Sequence, residues 1–340
     1  MMINFTADQI GQSLRQRMTR SEWLAIALAF GVMGGFMGLA PALSFAYYDY
    51  KIYLNTARHV FDGYYYGYWL LPVFAVLDKL PFVLSCAIWG SLNILGIFFA
   101  ARVFGGKPVL ALPSYQMFYT LIYGSISGVI VGALAVCWWG IHNRKWEIAG
   151  LAIALASAKY QVGITGSLIL LLLADLTWRE RARILIVPVL IGLASLLLYP
   201  GWLPESLQNI LSAPPNTNGS VSLWRWIGPW ALLLWVPSLL VPFSKPQRLV
   251  LLTVTGSLAL PYFQQSDLLL LLVLPIGWVG LLGYIGYLMP VYGWFALQML
   301  ALLPMAVYGA VFMPRVTAWV RRLFDHRTDH LDSSGTSNGG

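Results

Sequence analysis

The feature that most constrains this chain is a series of apolar stretches that starts near Leu24 and ends near Met313, with short breaks carrying Lys, Arg, Gly or Pro. A helix needs about 20 mostly apolar residues to cross a bilayer, and these stretches approach or reach that length one after another. Continuous runs such as Leu268 to Leu274 lack the alternation of a transmembrane barrel strand. Helices are then what satisfies the backbone in hydrocarbon. Only 10% of the 340 residues are charged, against about 25% in soluble domains. A soluble globule is excluded, and an all-α polytopic membrane protein is expected.

Candidate spans lie at 23–45, 82–103, 108–123, 126–142, 147–160, 163–177, 184–199, 226–243, 248–263, 266–288 and 291–313, which predicts about 10–12 transmembrane helices. Residues 1–22 form a polar N-terminal segment, 23–313 the transmembrane domain and 314–340 a polar tail with the composition of a disordered segment. The first apolar stretch begins too late for a cleavable signal peptide. With the N-terminus in the cytoplasm, Arg15, Arg17, Arg20, Arg102, Lys107, Arg144, Lys145, Arg179, Arg181, Arg183, Lys245 and Arg248 all fall on the cytoplasmic side. This is the arrangement the positive-inside rule favours. An odd number of crossings would put Arg315 and the tail outside. Either Tyr66 to Leu77 dips into the membrane or 267–313 holds an additional crossing.

The net charge of +8 sets topology in this reading, and nucleic acid is not an expected partner. Cys86 and Cys137 both lie within apolar stretches, so neither a disulfide nor a metal cluster is indicated. An ionisable residue near hydrocarbon costs about 2.5 to 3.5 kcal/mol on insertion scales, so the few on the outer side mark candidate chemistry.

Tyr47 to His59 is the densest polar and aromatic patch. It reads as a short amphipathic helix at the outer interface, with Asp49 as either its N-cap or a general base. His59 reads more simply as a solvated residue, and Tyr64 to Tyr66 as an aromatic belt. Lys159 closes an apolar stretch and either snorkels or holds a lipid phosphate. The loop 200–225 is rich in Pro, Asn and Gly and ends on Arg225, which suits either a phosphate grip or snorkelling. Asp267 reads as a helix cap or as a polar contact in a shared outer cavity.

The order of these cues resembles glycosyltransferase family 87, polyprenyl-phosphate-mannose-dependent mannosyltransferases with the GT-C fold. Asp49, Tyr53, Ala57, Gly63 and Tyr66 match its first outer loop, and Gly150 through Ala158-Lys159-Tyr160-Gln161 matches its Gly…Lys-Pro-Gln segment. Asn218 to Arg225 looks like its Asn-rich loop, and Tyr262 to Asp267 like its later outer turn. Ser125 and Tyr160 depart from the family's Gln and Pro, and the chain is shorter than is usual.

The resemblance implies a GT-C-like domain that moves a hexose, such as mannose, from a polyprenyl-phosphate donor to an acceptor hydroxyl on a lipid or glycan. No cofactor and no metal would be needed. Asp49 would be the base, and Lys159, Arg225 and Arg58 would bind the donor phosphate. Tyr53, His59, Tyr66, Gln161, Asn218 and Asp267 would contact substrate. An integral protein of a bacterial plasma membrane with an extracytoplasmic active site is the expectation. Membrane lipids, and other subunits of a membrane complex, are the further partners considered. A lipid-linked-sugar flippase or transporter is the alternative, but transporter sites sit near the midplane, whereas these residues sit at outer helix ends. A non-catalytic subunit that retains the glycosyltransferase shell is a third reading.

Overall fold

The structure is a computed structural model that describes residues 7–40, 42–43, 45–58, 66–212, 220–315 and 317. Among these, every regular element is helical apart from one isolated antiparallel bridge between Ser220 and Gln264. The helices are α1 (Ala7–Arg15), α2 (Arg20–Leu39), α3 (Tyr48–Arg58), α4 (Leu71–Leu77), α5 (Phe82–Phe104), α6 (Pro108–Ala111), α7 (Tyr115–Tyr123) and α8 (Ser127–His142). They continue as α9 (Trp146–Ala156), α10 (Tyr160–Leu173), α11 (Trp178–Leu198), α12 (Trp202–Ser212), α13 (Trp224–Ile227), α14 (Trp235–Leu240), α15 (Lys245–Ala259) and α16 (Leu269–Leu272).

Three of these, α2, α5 and α11, are each long and apolar enough to cross a membrane, and α7 with α8 qualifies as a pair bent by 115°. The other expected spans are shorter or broken. Gly228 has φ 56° and is followed by Pro229, and Pro237 lies further on, so the stretch expected at 226–243 divides into α13, a 3₁₀ turn and α14. A Thr19–Glu22 capping box starts α2 at Arg20, ahead of the expected 23.

The chain runs back and forth between two ends of the bundle. At one end, Arg102 on α5 meets Glu22 at 2.7 Å and also donates to the carbonyls of Ser13 and Gln16, tying α1 and α2 to α5. Arg183–Glu147, at 3.0 Å, and Lys245–Asp175 pair at the same end. The opposite end carries α3 and the turns after α7, α9 and α15. In between, α5 and α8 touch backbone to backbone: a Cβ on Gly132 would lie 2.7 Å from the Gly96 Cα. Membrane helices associate through such close packing of small residues.

The region 267–313 folds back on itself more than once between the two ends of the bundle. From Asp267 the chain descends to the basic end, where the Lys107 ammonium sits 5.3 Å from the Trp278 ring centroid. The 3₁₀ helix Gly277–Leu288 climbs again, and the helix Leu302–Arg315 returns to place Phe312 against Phe243 and Arg315 over the same ring. Arg315 therefore lies at the basic end.

Candidate active site

The site at the opposite end is built on α3, which packs firmly on its neighbours. Tyr50 stacks on Trp89 and hydrogen-bonds Ser85, while Tyr53 meets Phe74 at 5.1 Å and Tyr66 edge-on at 5.4 Å. Gly124, at φ 68°, closes α7, where a Cβ would lie 2.6 Å from that of Tyr50. Its carbonyl accepts from the Trp89 indole at 2.8 Å, and the Tyr47 N–H donates to the Ile122 carbonyl at 2.6 Å. The start of α3 is thereby docked on the α7–α8 turn. Asp49 falls inside the first helical turn of α3 and not at its cap, half-buried, where the helix dipole favours an anion.

Lys159 stands in the break between α9 and α10. The break is so tight that a Cβ on Gly163 would lie 1.7 Å from the Ala156 carbonyl oxygen, so only glycine fits there. The Gly67 N–H donates to the Ala158 carbonyl at 2.9 Å, which brings the segment after α3 alongside. The Lys159 Nζ donates to Asp267 Oδ1 at 2.5 Å and to the Ser127 Oγ at 3.0 Å. Ser127 in turn donates to the same Asp267 oxygen at 3.0 Å. Asp267 Oδ2 accepts from the Gln264 N–H at 3.1 Å, so Asp267 both caps its helix and holds the ammonium. Both charged side chains are buried, at 1% and 0% exposure. Such a pair persists only when fully hydrogen-bonded, since either charge alone would be left without solvent.

Asp49 lies within electrostatic reach of this pair. Burial pushes its carboxyl up to about 6, the Lys159 ammonium pulls it down, and the Asp267 carboxylate pushes it up. Tyr66, Tyr119 and Tyr123 lie within electrostatic reach of Asp49, with Tyr53 beside Tyr66 and Gln265 beside Tyr119. Asp49, Lys159, Asp267 and Tyr66 therefore gather at one end of the bundle. Ser127, Tyr119 and Gln265 join them without having been singled out in the sequence. Ser127 stands two residues after Ser125 in Gly124-Ser125-Ile126-Ser127-Gly128, and that pair of serines at a glycine-flanked turn was the available signal for it.

The remaining expected site residues are placed differently. Arg58 makes a bidentate bond to Asp78, at 2.6 and 2.8 Å, on the exposed end of α3, and this partner holds the Asp78 carboxyl below its usual range. Tyr53 is buried within the aromatic cluster. Gln161 is half-buried on the first turn of α10. Arg225 is half-buried on α13, whose approach is zipped to α15 and beyond by Val221 N–H to Phe263 O at 2.8 Å and Leu223 N–H to Leu258 O at 2.9 Å. His59, Gly63 and Asn218 lie outside the described residues. Among the described residues no group of three or more His, Cys, Asp or Glu gathers to hold a metal ion.

The sequence profile of glycosyltransferase family 87 matches residues 64–283, more than half of the chain. The chain belongs to glycosyltransferase family 87. It is thus a membrane glycosyltransferase by family, and the matched range includes Lys159, Asp267 and the helices that hold them. No curated protein and no solved structure matches the chain.

Proposed function

We propose that this family 87 chain transfers a hexose, such as mannose, from a polyprenyl-phosphate donor to an acceptor hydroxyl at the extracytoplasmic face of a bacterial plasma membrane, on a GT-C scaffold. The observation that carries this reading is Asp49: a half-buried carboxyl, pushed up to about 6, beside a buried ammonium at the end of the bundle away from most arginines. A general base works best with a pKa near the operating pH. With α3 lying in the outer headgroup layer, Asp49 takes the proton of the acceptor hydroxyl as its oxygen attacks the anomeric carbon. The bond from that carbon to the phosphate oxygen breaks, and the polyprenyl phosphate leaves with the electron pair. Configuration inverts.

Lys159 supplies positive potential for the developing phosphate charge, and Arg225 and Arg58 assist from the rim. Tyr53, His59, Tyr66, Gln161, Asn218 and Asp267 shape the site. The test is transfer of labelled hexose from polyprenyl-phosphate-hexose in membranes carrying the wild type or Asp49→Asn. A loss of about a hundredfold or more is expected for removal of a general base. Equal transfer by both proteins would sink Asp49 as the base, and transfer by neither would favour a non-catalytic subunit.

A further inference from the structure

A cavity of about 620 Å³ opens at the basic end, opposite Asp49, between the α5–α6 junction, the first turns of α15, the segment Leu272–Val279 and the helix Leu302–Arg315. Its walls are aliphatic, with Val250, Leu272, Val279, Val307 and Val311 among them. Close backbone packing fixes one edge, where a Cβ on Gly106 would lie 2.2 Å from the Val273 carbonyl oxygen. The volume is within the range of about 300–1,000 Å³ typical of ligand sites. The cleft is open at its mouth and mostly aliphatic within, a lining that suits a hydrocarbon chain.

The mouth is cationic. Lys107 lines it and ion-pairs with no carboxylate among the described residues; its ammonium rests on the face of Trp278, an indole 75% exposed. Tryptophan at that depth is typical of the headgroup layer. An adjoining cavity of about 450 Å³ shares Ser244 and Pro246 with the first and adds Arg144 and Lys245 together with Glu180 and Asp175, the partner of Lys245, so its charges offset one another and Lys107 supplies the cation at the mouth. Aliphatic walls below and the Lys107 ammonium at the mouth match one ligand chemistry: an acyl chain on an anionic phosphate head.

We propose that this cavity is a binding site for an anionic glycerophospholipid of the leaflet at the basic end, one acyl chain between α15 and the last helix and the phosphate against Lys107. The site is separate from the transfer chemistry, because a donor reacting beside Asp49 presents its phosphate at the other end of the bundle.

The test uses the full chain in phosphatidylcholine nanodiscs containing a minor fraction of phosphatidylglycerol with a photoreactive group in its acyl chain. Cross-links are mapped by peptide mass spectrometry. Expected are cross-links concentrated in Leu272–Val279 and Val307–Val311, competed by unlabelled phosphatidylglycerol but not by phosphatidylcholine. Lys107→Gln, an exposed change that leaves the packing alone, should lower them about fivefold, the effect of one basic residue at an anionic headgroup. Val311→Trp, which pushes an indole into the cavity beside the last helix, should lower them, with labelling of the outward face of α2 at Leu24 and Leu28 as the internal reference. Three results would overturn the site: equal labelling of the cavity segments and α2, equal labelling by a phosphatidylcholine probe, or no change with Lys107→Gln.

Discussion

The basicity of Asp49 is a balance among burial, one ammonium and one carboxylate, and each can be changed separately. With the Asp49 carboxyl at about 6, kcat/KM for transfer should rise with pH along an acid limb centred near 6. Asp267→Asn removes the charge that pushes Asp49 up and leaves Lys159 to pull it down. The limb should then move to lower pH by on the order of one unit, read from the pH–rate profiles of the two proteins. The same balance affects stability. An unfolded Asp titrates near about 4, so the folded chain, with Asp49 at about 6, binds this proton more tightly. That stabilisation is complete below about pH 4 and is lost as pH rises through 6. Asp49→Asn should therefore stabilise the protein at pH 7, by roughly 1–3 kcal/mol, while lowering transfer about a hundredfold or more. Thermal unfolding at pH 5 and pH 7.5 checks it: the gain should be larger at 7.5. Asp49, Lys159 and Asp267 were legible in the sequence because an ionisable residue at the end of an apolar stretch is costly and rare. Ser127, Tyr119 and Gln265 were not, because a hydroxyl or an amide at a helix end costs little and is common.

At the scale of elements, hydrophobicity located the apolar stretches but said little about how each would coil. Gly277–Leu288 is the clearest example, a 3₁₀ helix of 12 residues where an α-helical crossing was expected. Runs of this kind are uncommon beyond three or four residues, because side chains three apart eclipse one another. Here Gly277, Gly280, Gly283 and Gly286 recur at that period of three, so the eclipsed edge carries no side chains over much of its length. That edge packs closely. A Cβ on Gly283 would lie 3.1 Å from the Gln116 Oε1, and one on Gly286 would lie 2.1 Å from the Tyr115 ring. The glycine period was present in the sequence, but a window tuned to 3.6 residues per turn passes over it. Gly286→Ala should destabilise the protein by about 1–3 kcal/mol as Tyr115 is forced aside. Gly309→Ala, where nothing lies within 4 Å of the added Cβ, should cost little, and paired thermal melts in detergent distinguish the two.

For the whole molecule, the distribution of Lys and Arg gave an orientation while the number of crossings stayed ambiguous, because a broken span and two short ones look alike as an apolar run. Between Asp267 and Arg315 the chain runs to the basic end, away from it and back, so the start of α2 and the end of the last helix share the basic end with Arg102, Lys107 and Lys245. The α4–α5 connection with Asp78 and Lys79 falls at the other end, where Asp78 holds Arg58 at the close of α3 and α3 docks on the α7–α8 turn. Basic residues are retained on the cytoplasmic side, so both termini of the bundle are expected there, with Asp49 facing the opposite compartment. Cys86 and Cys137 are buried, which leaves introduced cysteines as the reactive ones. In intact cells a membrane-impermeant maleimide should label Lys79→Cys but neither Gln16→Cys nor Thr317→Cys, and in inverted vesicles the pattern should reverse. Labelling of Gln16→Cys and Thr317→Cys from opposite sides would remove the additional crossing. Labelling of Lys79→Cys from the cytoplasmic side would move Asp49 to the wrong face for a donor presented in the outer leaflet.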